Sequence, residues 1–173
     1  MEFRKTTAAE VEAVAAIYAY AKRAFREAGI PQWQGIYPDA ATVRGDIEAG
    51  IGYVLVDGAE PVGAVALTTA PEEVYRRITG GTWLTGESEQ YMTVHRIAVA
   101  EGRRGQGLSK AIMREVEALA RSLGLPSIRV DTHEQNANMR GMLASMGYTQ
   151  CGDIILIDGD EAGDPRLCYE KLL

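Results

Sequence analysis

One segment near the middle of the chain, between residues 91 and 123, constrains the fold more than any other. It begins with an apolar run, YMTVHRIAVA, of the kind found in strands that are buried on both faces. A basic, glycine-rich turn, RRGQGLS, follows this run. After the turn, apolar residues recur at helical spacing: Leu108, Ile112, Val116, Leu119 and Leu123. Strand, turn and amphipathic helix in this order predict a crossover that leads to a parallel strand pair.

Strands and helices alternate through the rest of the chain, which predicts one domain of the α/β (α+β) class over residues 1–173. Further strands are expected at 2–7, in a hairpin over 51–69 that turns around Asp57–Gly58, at 126–133, and in a final hairpin of 148–158 with 165–173. Further helices are expected from Val11 to a stop at Gly29, at 40–49 behind an Asp39 cap, and at 136–146. Residues 71–88 are expected to be irregular, with one helical turn.

The composition argues against several kinds of partner. The net charge of −6 and the sequence pI near 5.0 argue against nucleic acid, because neutralising phosphates requires a basic face. No apolar run approaches the ~20 residues of a membrane span. The N-terminus also lacks a basic segment followed by an apolar one. We therefore expect no nucleic-acid partner, no membrane partner and a cytoplasmic location.

The cysteines and histidines do not predict a metal site. Cys151 and Cys168 lack C-x-x-C spacing, which excludes a sulfur zinc site and a disulfide framework. They fall in the two strands of the final hairpin, where reduced thiols are expected and a disulfide is the alternative. The chain has 2 His without an obvious carboxylate partner, so no metal is expected.

The turn from Arg103 to Ser109 has the chemistry of an anion site. Glycine accepts positive φ, and the first turn of a helix offers unpaired N–H groups to a phosphate. A P-loop is excluded because the sequence has no Gly-Lys-Ser/Thr triplet. A dinucleotide fingerprint is excluded because Lys110 stands where a third small residue is needed. The remaining alternative is a turn whose Arg side chains meet only solvent.

Two segments, HRIAVAEGRRGQGLSKAIM and HEQNANMRGMLASMGY, resemble the GNAT superfamily of acyl-CoA-dependent N-acetyltransferases. The resemblance covers about residues 91–152, and Arg104 to Ser109 match the family's turn pattern, Q/R-x-x-G-x-G/A, with Ser109 replacing the last small residue. It implies a single GNAT-like domain with a three-layer α/β/α fold and a mixed, mostly antiparallel central sheet of six to seven strands. It also implies acetyl-CoA (coenzyme A) as co-substrate.

The resemblance also implies which residues bind the cofactor. Ile97, Ala98 and Val99 are implied to run beside the pantetheine arm. The pyrophosphate is implied to lie on Arg104, Gly105, Gln106, Gly107, Leu108 and Ser109. Arg103 is expected to be a peripheral helper or only a solvated charge. Asn136 matches the family's cofactor-contacting Asn, and Asn138 is the weaker choice because Asn near a helix start is commonly only a cap.

His95 is the expected general base, because the family often carries a Glu or His at this place in the strand. Imidazole has a suitable pKa, near 6.5. With strict alternation, His95 shares a strand face with Ile97 and Val99. The alternative is a core histidine bonded to a backbone carbonyl. Arg96 is expected to form an ion pair, and His133 to bond Asp131 or a backbone group.

One position departs from the family pattern. Many members carry a Tyr four residues before the Gly of the "G-F" turn, proposed to protonate the leaving thiolate. Leu143 stands there, and Tyr148 belongs to the packing turn itself. The general acid therefore has no assignment.

Three aromatic residues, Trp33, Tyr37 and Trp83, are expected to line the acceptor cleft, and the alternative is that they cover the sheet edge. The first functional hypothesis is an N-acetyltransferase acting on a primary amine of a small molecule or peptide. The second is a non-catalytic acyl-CoA-binding sensor on the same scaffold. Dimers are common in the family, so a homodimer is a further expectation.

Overall fold

The computed structural model describes all residues, 1–173. It contains seven strands: β1 (Glu2–Lys5), β2 (Gly52–Asp57), β3 (Glu60–Thr68), β4 (Met92–Val99), β5 (Ser127–Thr132), β6 (Thr149–Ile155) and β7 (Pro165–Leu172). It contains four α-helices: α1 (Val11–Glu27), α2 (Ala40–Glu48), α3 (Leu108–Ser122) and α4 (Ala137–Ser145). Two short 3-10 helices lie at Ala8–Glu10 and Val74–Arg77.

The strands follow the order β1-β2-β3-β4-β5-β7-β6 in a 7-stranded sheet. β4 and β5 are parallel, with Met92 opposite Ile128 and Val94 opposite Val130. The pairs β1–β2, β2–β3, β5–β7 and β6–β7 are antiparallel. The expected mixed, mostly antiparallel sheet and its parallel pair after the glycine-rich turn are confirmed.

The chain divides into two compact units. The first comprises Met1–Leu67 and His95–Glu115, and the second comprises Thr68–Val94 and Val116–Leu173. The organisation as a single domain stays a prediction.

The first unit is built around the buried faces of α1 and the β2–β3 hairpin. Val14, Ile17 and Tyr18 of α1 pack with Val54 of β2 in one apolar cluster. Burying side chains of this size stabilises a fold by about 1.5–3 kcal/mol each. The expected start of α2 is confirmed, because Oδ1 of Asp39 accepts a hydrogen bond from the N–H of Thr42 at 2.9 Å.

The second unit packs the segment between β3 and β4 onto β6 and β7. Tyr75, Trp83 and Tyr91 of this segment join Ile154 and Cys168 in a buried cluster. A Cβ on Gly81 would lie 2.0 Å from the carbonyl oxygen of Cys151, so only glycine permits this close approach. Both cysteines are free and buried.

The helical stripe predicted for α3 is wrong at its end. The helix stops at Ser122, and Leu123 is 56% exposed behind it. Met113 and Ala120 are fully buried and extend the apolar face instead. The 3.6-residue period therefore predicted the helix and its buried face correctly, but not where the helix ends.

None of the helices combines the length and the apolar character that crossing a bilayer requires. No group of three or more His, Cys, Asp and Glu side chains is arranged to hold a metal ion.

Candidate functional site

The turn before α3 has the backbone conformation that the sequence predicts. Gly105 and Gly107 adopt φ of 76° and 75°, in the left-handed region. A Cβ on either residue would meet no atom within 4 Å. The conformation, and not crowding, therefore requires glycine at both positions.

The turn presents a row of unpaired backbone donors. The first N–H after the turn that bonds to the backbone is that of Ala111, which donates to the carbonyl of Gly107 at 3.0 Å. From Arg104 to Lys110, no backbone N–H donates to a backbone carbonyl outside the helix or to a side chain. The first turn of a helix leaves such donors without partners. These residues therefore fit an anionic group, because no part of the chain occupies their N–H groups.

The two Arg side chains of the turn differ in their partners. The Arg103 guanidinium donates to Asp57 at 3.2 Å and to Glu60 at 3.0 Å, at the turn of the β2–β3 hairpin. Arg104 is exposed and forms no ion pair or hydrogen bond. Of the two, Arg104 therefore has its charge available for a ligand.

The strand that precedes the turn is not regular. Arg96 has a φ of 54°, which is uncommon for a residue with a side chain. Strict alternation of side chains requires an unbroken extended backbone. The two-residue period of a strand is therefore not enough to place His95 on the same face as Ile97 and Val99. His95, Ile97 and Val99 are half-buried, and Ala98 is buried.

Arg96 forms the ion pair that the sequence predicts, and its partner is Asp46 of α2. The Nε atom donates to Oδ2 at 3.2 Å and Nη2 to Oδ1 at 2.6 Å. The side chains are only 11% and 10% exposed. Burial raises the pKa of Asp46 above its ordinary value, although Arg96 and His95 both act to lower it.

The predicted substrate residues of the first unit have different surroundings. The hydroxyl of Tyr37 accepts a hydrogen bond from Nη1 of Arg96 at 2.7 Å. Trp33 is buried, with its ring edge-on to Tyr18 and Phe25 at centroid distances of 6.1 and 5.4 Å. Tyr37 is half-buried. The role of both residues in substrate binding stays a prediction.

The second unit contains the predicted residues of α4 and its approach. Asn136 is buried and caps α4, because its Oδ1 accepts from the N–H of Met139 at 3.2 Å. Asn138 is exposed in the first turn. Nδ1 of His133 accepts from the N–H of Gln135 at 3.2 Å, so the expected bond to a backbone group is confirmed. The cofactor roles of Asn136 and Asn138 stay predictions.

Leu143, which stands where many family members carry a Tyr, and Tyr148 are both buried. Leu143 is fully buried, and its carbonyl accepts from the N–H of Tyr148 at 3.0 Å. Tyr148 is 5% exposed, and burial raises the pKa of its phenol well above the ordinary value. A phenol in this state is a poor proton donor near neutral pH, which agrees with a packing role.

Trp83 lies in a polar network that the sequence did not predict. Its Nε1 donates to the carbonyl of Tyr75 at 2.8 Å, and the guanidinium carbon of Arg129 lies 4.3 Å from the centre of its ring. Arg129 also pairs with Glu170. The only available signal was the presence of charged residues of both signs in β5 and β7, among them Arg129 and Glu170.

The chain thus has a mixed sheet and a glycine-rich turn with unpaired N–H groups between a central strand and α3. The family model for the acetyltransferase (GNAT) family matches residues 14–148. The chain belongs to the GNAT acetyltransferase family.

Several known proteins are similar to this chain. The uncharacterized N-acetyltransferase YesJ of Bacillus subtilis (strain 168) is 28% identical over 129 residues, which are 73% of this chain and 69% of that protein. A GNAT-family acetyltransferase from Streptococcus agalactiae is 30% identical, with a TM-score of 0.87 over 99% of this chain and 95% of that one. The ribosomal-protein-alanine N-acetyltransferase of Brucella melitensis is 17% identical, with a TM-score of 0.69 over 100% of both chains, and shows likeness of fold alone.

These similarities set the general chemistry. The chain is an acyl-CoA-dependent acetyltransferase. Members of the family generally use acetyl-CoA and act on amines.

Proposed function

We propose that this protein transfers an acetyl group from acetyl-CoA to a primary amine of a small molecule or peptide. The observation that carries the proposal is the row of unpaired backbone N–H groups from Arg104 to Lys110. Acetyl-CoA supplies an acetyl group already activated as a thioester. The chain has to hold the diphosphate, orient the thioester and prepare the amine.

Cofactor binding is assigned to the turn and to β4. The N–H groups and the side chains of Arg104, Gln106 and Ser109 bind the pyrophosphate, with Gly105, Gly107 and Leu108 supplying backbone. A helix N-terminus and an arginine both favour a phosphate, and their contributions combine. Ile97, Ala98 and Val99 lie beside the pantetheine arm. Asn136 is proposed to contact the cofactor, and Asn138 is the weaker candidate. Arg103 is a peripheral helper, because it is already paired with two carboxylates.

His95 is proposed as the general base. A primary amine with a pKa near ~10.4 is neutral in only about one molecule in 2,500 at pH 7. A base that accepts the proton as nitrogen attacks the thioester raises the reactive fraction. His95 is half-buried in β4. The thiolate leaves with no assigned proton donor, since Leu143 stands at the family's Tyr position.

Thiol release from acetyl-CoA with a panel of primary amines tests this proposal. His95→Gln should lower turnover about 10²-fold or more with little change in affinity for coenzyme A. His133→Gln is the matched control, because that side chain bonds to the backbone in the second unit. Equal turnover in wild type and His95→Gln would remove His95 from the mechanism.

The second candidate is a non-catalytic sensor that binds acyl-CoA. The observation that favours it is Leu143, which is fully buried where many members place a proton-donating Tyr. Binding of acetyl-CoA without thiol release from any amine would support this candidate. The expected homodimer is tested separately by sedimentation.

A further inference from the structure

A cavity of about 510 Å³ lies in the second unit, along the segment between β3 and β4. Three aromatic side chains, Tyr75, Trp83 and Tyr91, and the guanidinium-bearing Arg129 are among its walls. Cavities of this size commonly accept small molecules.

Arg129 is the charged group of the wall that is buried, with 3% of its surface exposed. Its guanidinium carbon lies 4.3 Å from the ring centre of Trp83 and 4.0 Å from that of Tyr91. Nε donates to Glu170 at 3.1 Å, and Nη2 donates to the hydroxyl of Thr85 at 2.8 Å. Nη1 donates to no atom of the chain. Nη1 is not one of the fully buried side-chain atoms that lack a partner, so it is open to the cavity, where a ligand can accept a hydrogen bond from it.

Glu170 does not need the remaining donors of Arg129. Its fully buried carboxylate accepts from the hydroxyls of Ser127 and Thr85, each at 2.6 Å, and from the N–H groups of Leu84 and Thr85. Burial alone would raise the pKa of Glu170, but these hydrogen bonds and Arg129 outweigh it and hold that pKa below its usual value. The carboxylate therefore stays ionised and satisfied while Nη1 of Arg129 is left over.

Among the other charged residues of the cavity wall, one carboxylate has no ion-pair partner. Arg76 is paired with Glu89 and with Glu73. Glu87 also lines the cavity, is exposed, and forms no ion pair or hydrogen bond. The unmatched groups of the wall are thus one cationic donor, on Arg129, and one anion, on Glu87.

We infer that the cavity binds a small zwitterion, an α-amino acid with an apolar side chain. Its carboxylate accepts from Nη1 of Arg129, its ammonium group pairs with Glu87, and its side chain contacts the aromatic wall. A doubly charged phosphate is disfavoured, because Glu87 and Glu89 line the same cavity. The inference goes beyond the proposed function, since it holds whether or not the amine of this ligand is acetylated.

Calorimetry on the wild-type protein without coenzyme A tests the inference. L-phenylalanine is compared with phenethylamine, which lacks the carboxylate, and with 3-phenylpropionate, which lacks the ammonium group. L-phenylalanine should bind at least about tenfold tighter than either analogue, because each analogue lacks one of the two charge-assisted contacts. Equal affinity for the three compounds, no heat with L-phenylalanine, L-leucine and L-methionine, or tighter binding of inorganic phosphate would overturn it.

Glu87→Gln gives an independent test at an exposed position that carries no structural contact. The variant should bind L-phenylalanine about tenfold more weakly and 3-phenylpropionate as the wild type does. Glu115→Gln, at another exposed carboxylate, is the matched control and should change neither affinity. Unchanged affinity of Glu87→Gln for L-phenylalanine contradicts the inference. Binding of L-phenylalanine without binding of coenzyme A would instead contradict the proposed function.

Discussion

Arg96 and Asp46 form a buried ion pair that ties β4 to α2, with Nη2 of Arg96 2.6 Å from Oδ1 of Asp46. Arg96 also donates to Tyr37, and its own backbone is left-handed. The residue next to the proposed base therefore has its backbone conformation fixed by contacts to another element. Isolated left-handed residues are costly by about 1–2 kcal/mol, so such contacts are needed to maintain them.

The two halves of this pair should respond differently to removal. Asp46→Ala leaves a buried guanidinium that cannot lose its proton, and it should destabilise the protein by about 3 kcal/mol or more. Arg96→Gly should have a smaller effect, because the remaining carboxyl can take up a proton and glycine suits the left-handed φ. Urea unfolding at pH 7 measures both free energies of unfolding. A larger loss in Arg96→Gly than in Asp46→Ala would show that this asymmetry is wrong.

Removal of Arg104 and removal of the adjacent Arg103 should weaken coenzyme A binding to different extents. Arg104→Ala should weaken coenzyme A binding about tenfold or more, because a charge-assisted contact to phosphate is removed. Arg103→Ala is the matched control and should have a clearly smaller effect, since that side chain is committed to Asp57 and Glu60. Calorimetry with coenzyme A measures both. The reverse order of effects would move the phosphate away from Arg104.

Two exposed glycines of the first unit provide a matched pair for the turn geometry. Gly107 has a φ of 75°, whereas Gly45 lies within α2, and a Cβ on either would meet nothing within 4 Å. Gly107→Ala should destabilise the protein by about 1 kcal/mol and weaken coenzyme A binding. Gly45→Ala should stabilise it by about 0.5–1 kcal/mol through helix propensity. Thermal unfolding with and without coenzyme A makes the comparison, and equal effects of the two changes would count against the left-handed turn.

The decrease in the free energy of unfolding at acid pH should depend on Glu10. Hydrogen bonds from Arg4 lower the pKa of Glu10 from its usual 4.5 to about 2, against the opposing effect of burial. A depressed folded-state pKa stabilises the protein above the unfolded value, and this contribution is lost as pH falls from about 4.5 towards about 2. Glu10→Gln should therefore be less stable than wild type at pH 6, by about 1 kcal/mol, and nearly equal to it at pH 2. A difference that stays constant across this range in urea unfolding would contradict the assignment.

Local patterns in the sequence were enough to predict most elements. The Asp39 cap of α2 and the turn at Gly58, whose φ is 64°, depend on residues within a few positions of each other. The glycine-rich turn before α3 is of the same kind. Its residue types determine its conformation, so it could be predicted before any partner was known.

The features that the sequence did not predict depend on distant partners. Asp46 lies 50 residues from Arg96, and Glu170 lies 41 residues from Arg129. Spacing along one element gives no information about which of many carboxylates meets a given arginine. The left-handed backbone at Arg96 has the same origin, because an arginine takes this conformation only where other contacts maintain it.

The backbone N–H groups at the start of α3 are proposed to hold the diphosphate of coenzyme A. Amide ¹H–¹⁵N NMR during titration with coenzyme A observes these groups directly. We expect the largest shifts on Gly105, Gly107 and Ser109, and no change at these amides with pantetheine, which lacks the diphosphate. Saturable binding of coenzyme A with those three amides unmoved would contradict the proposal.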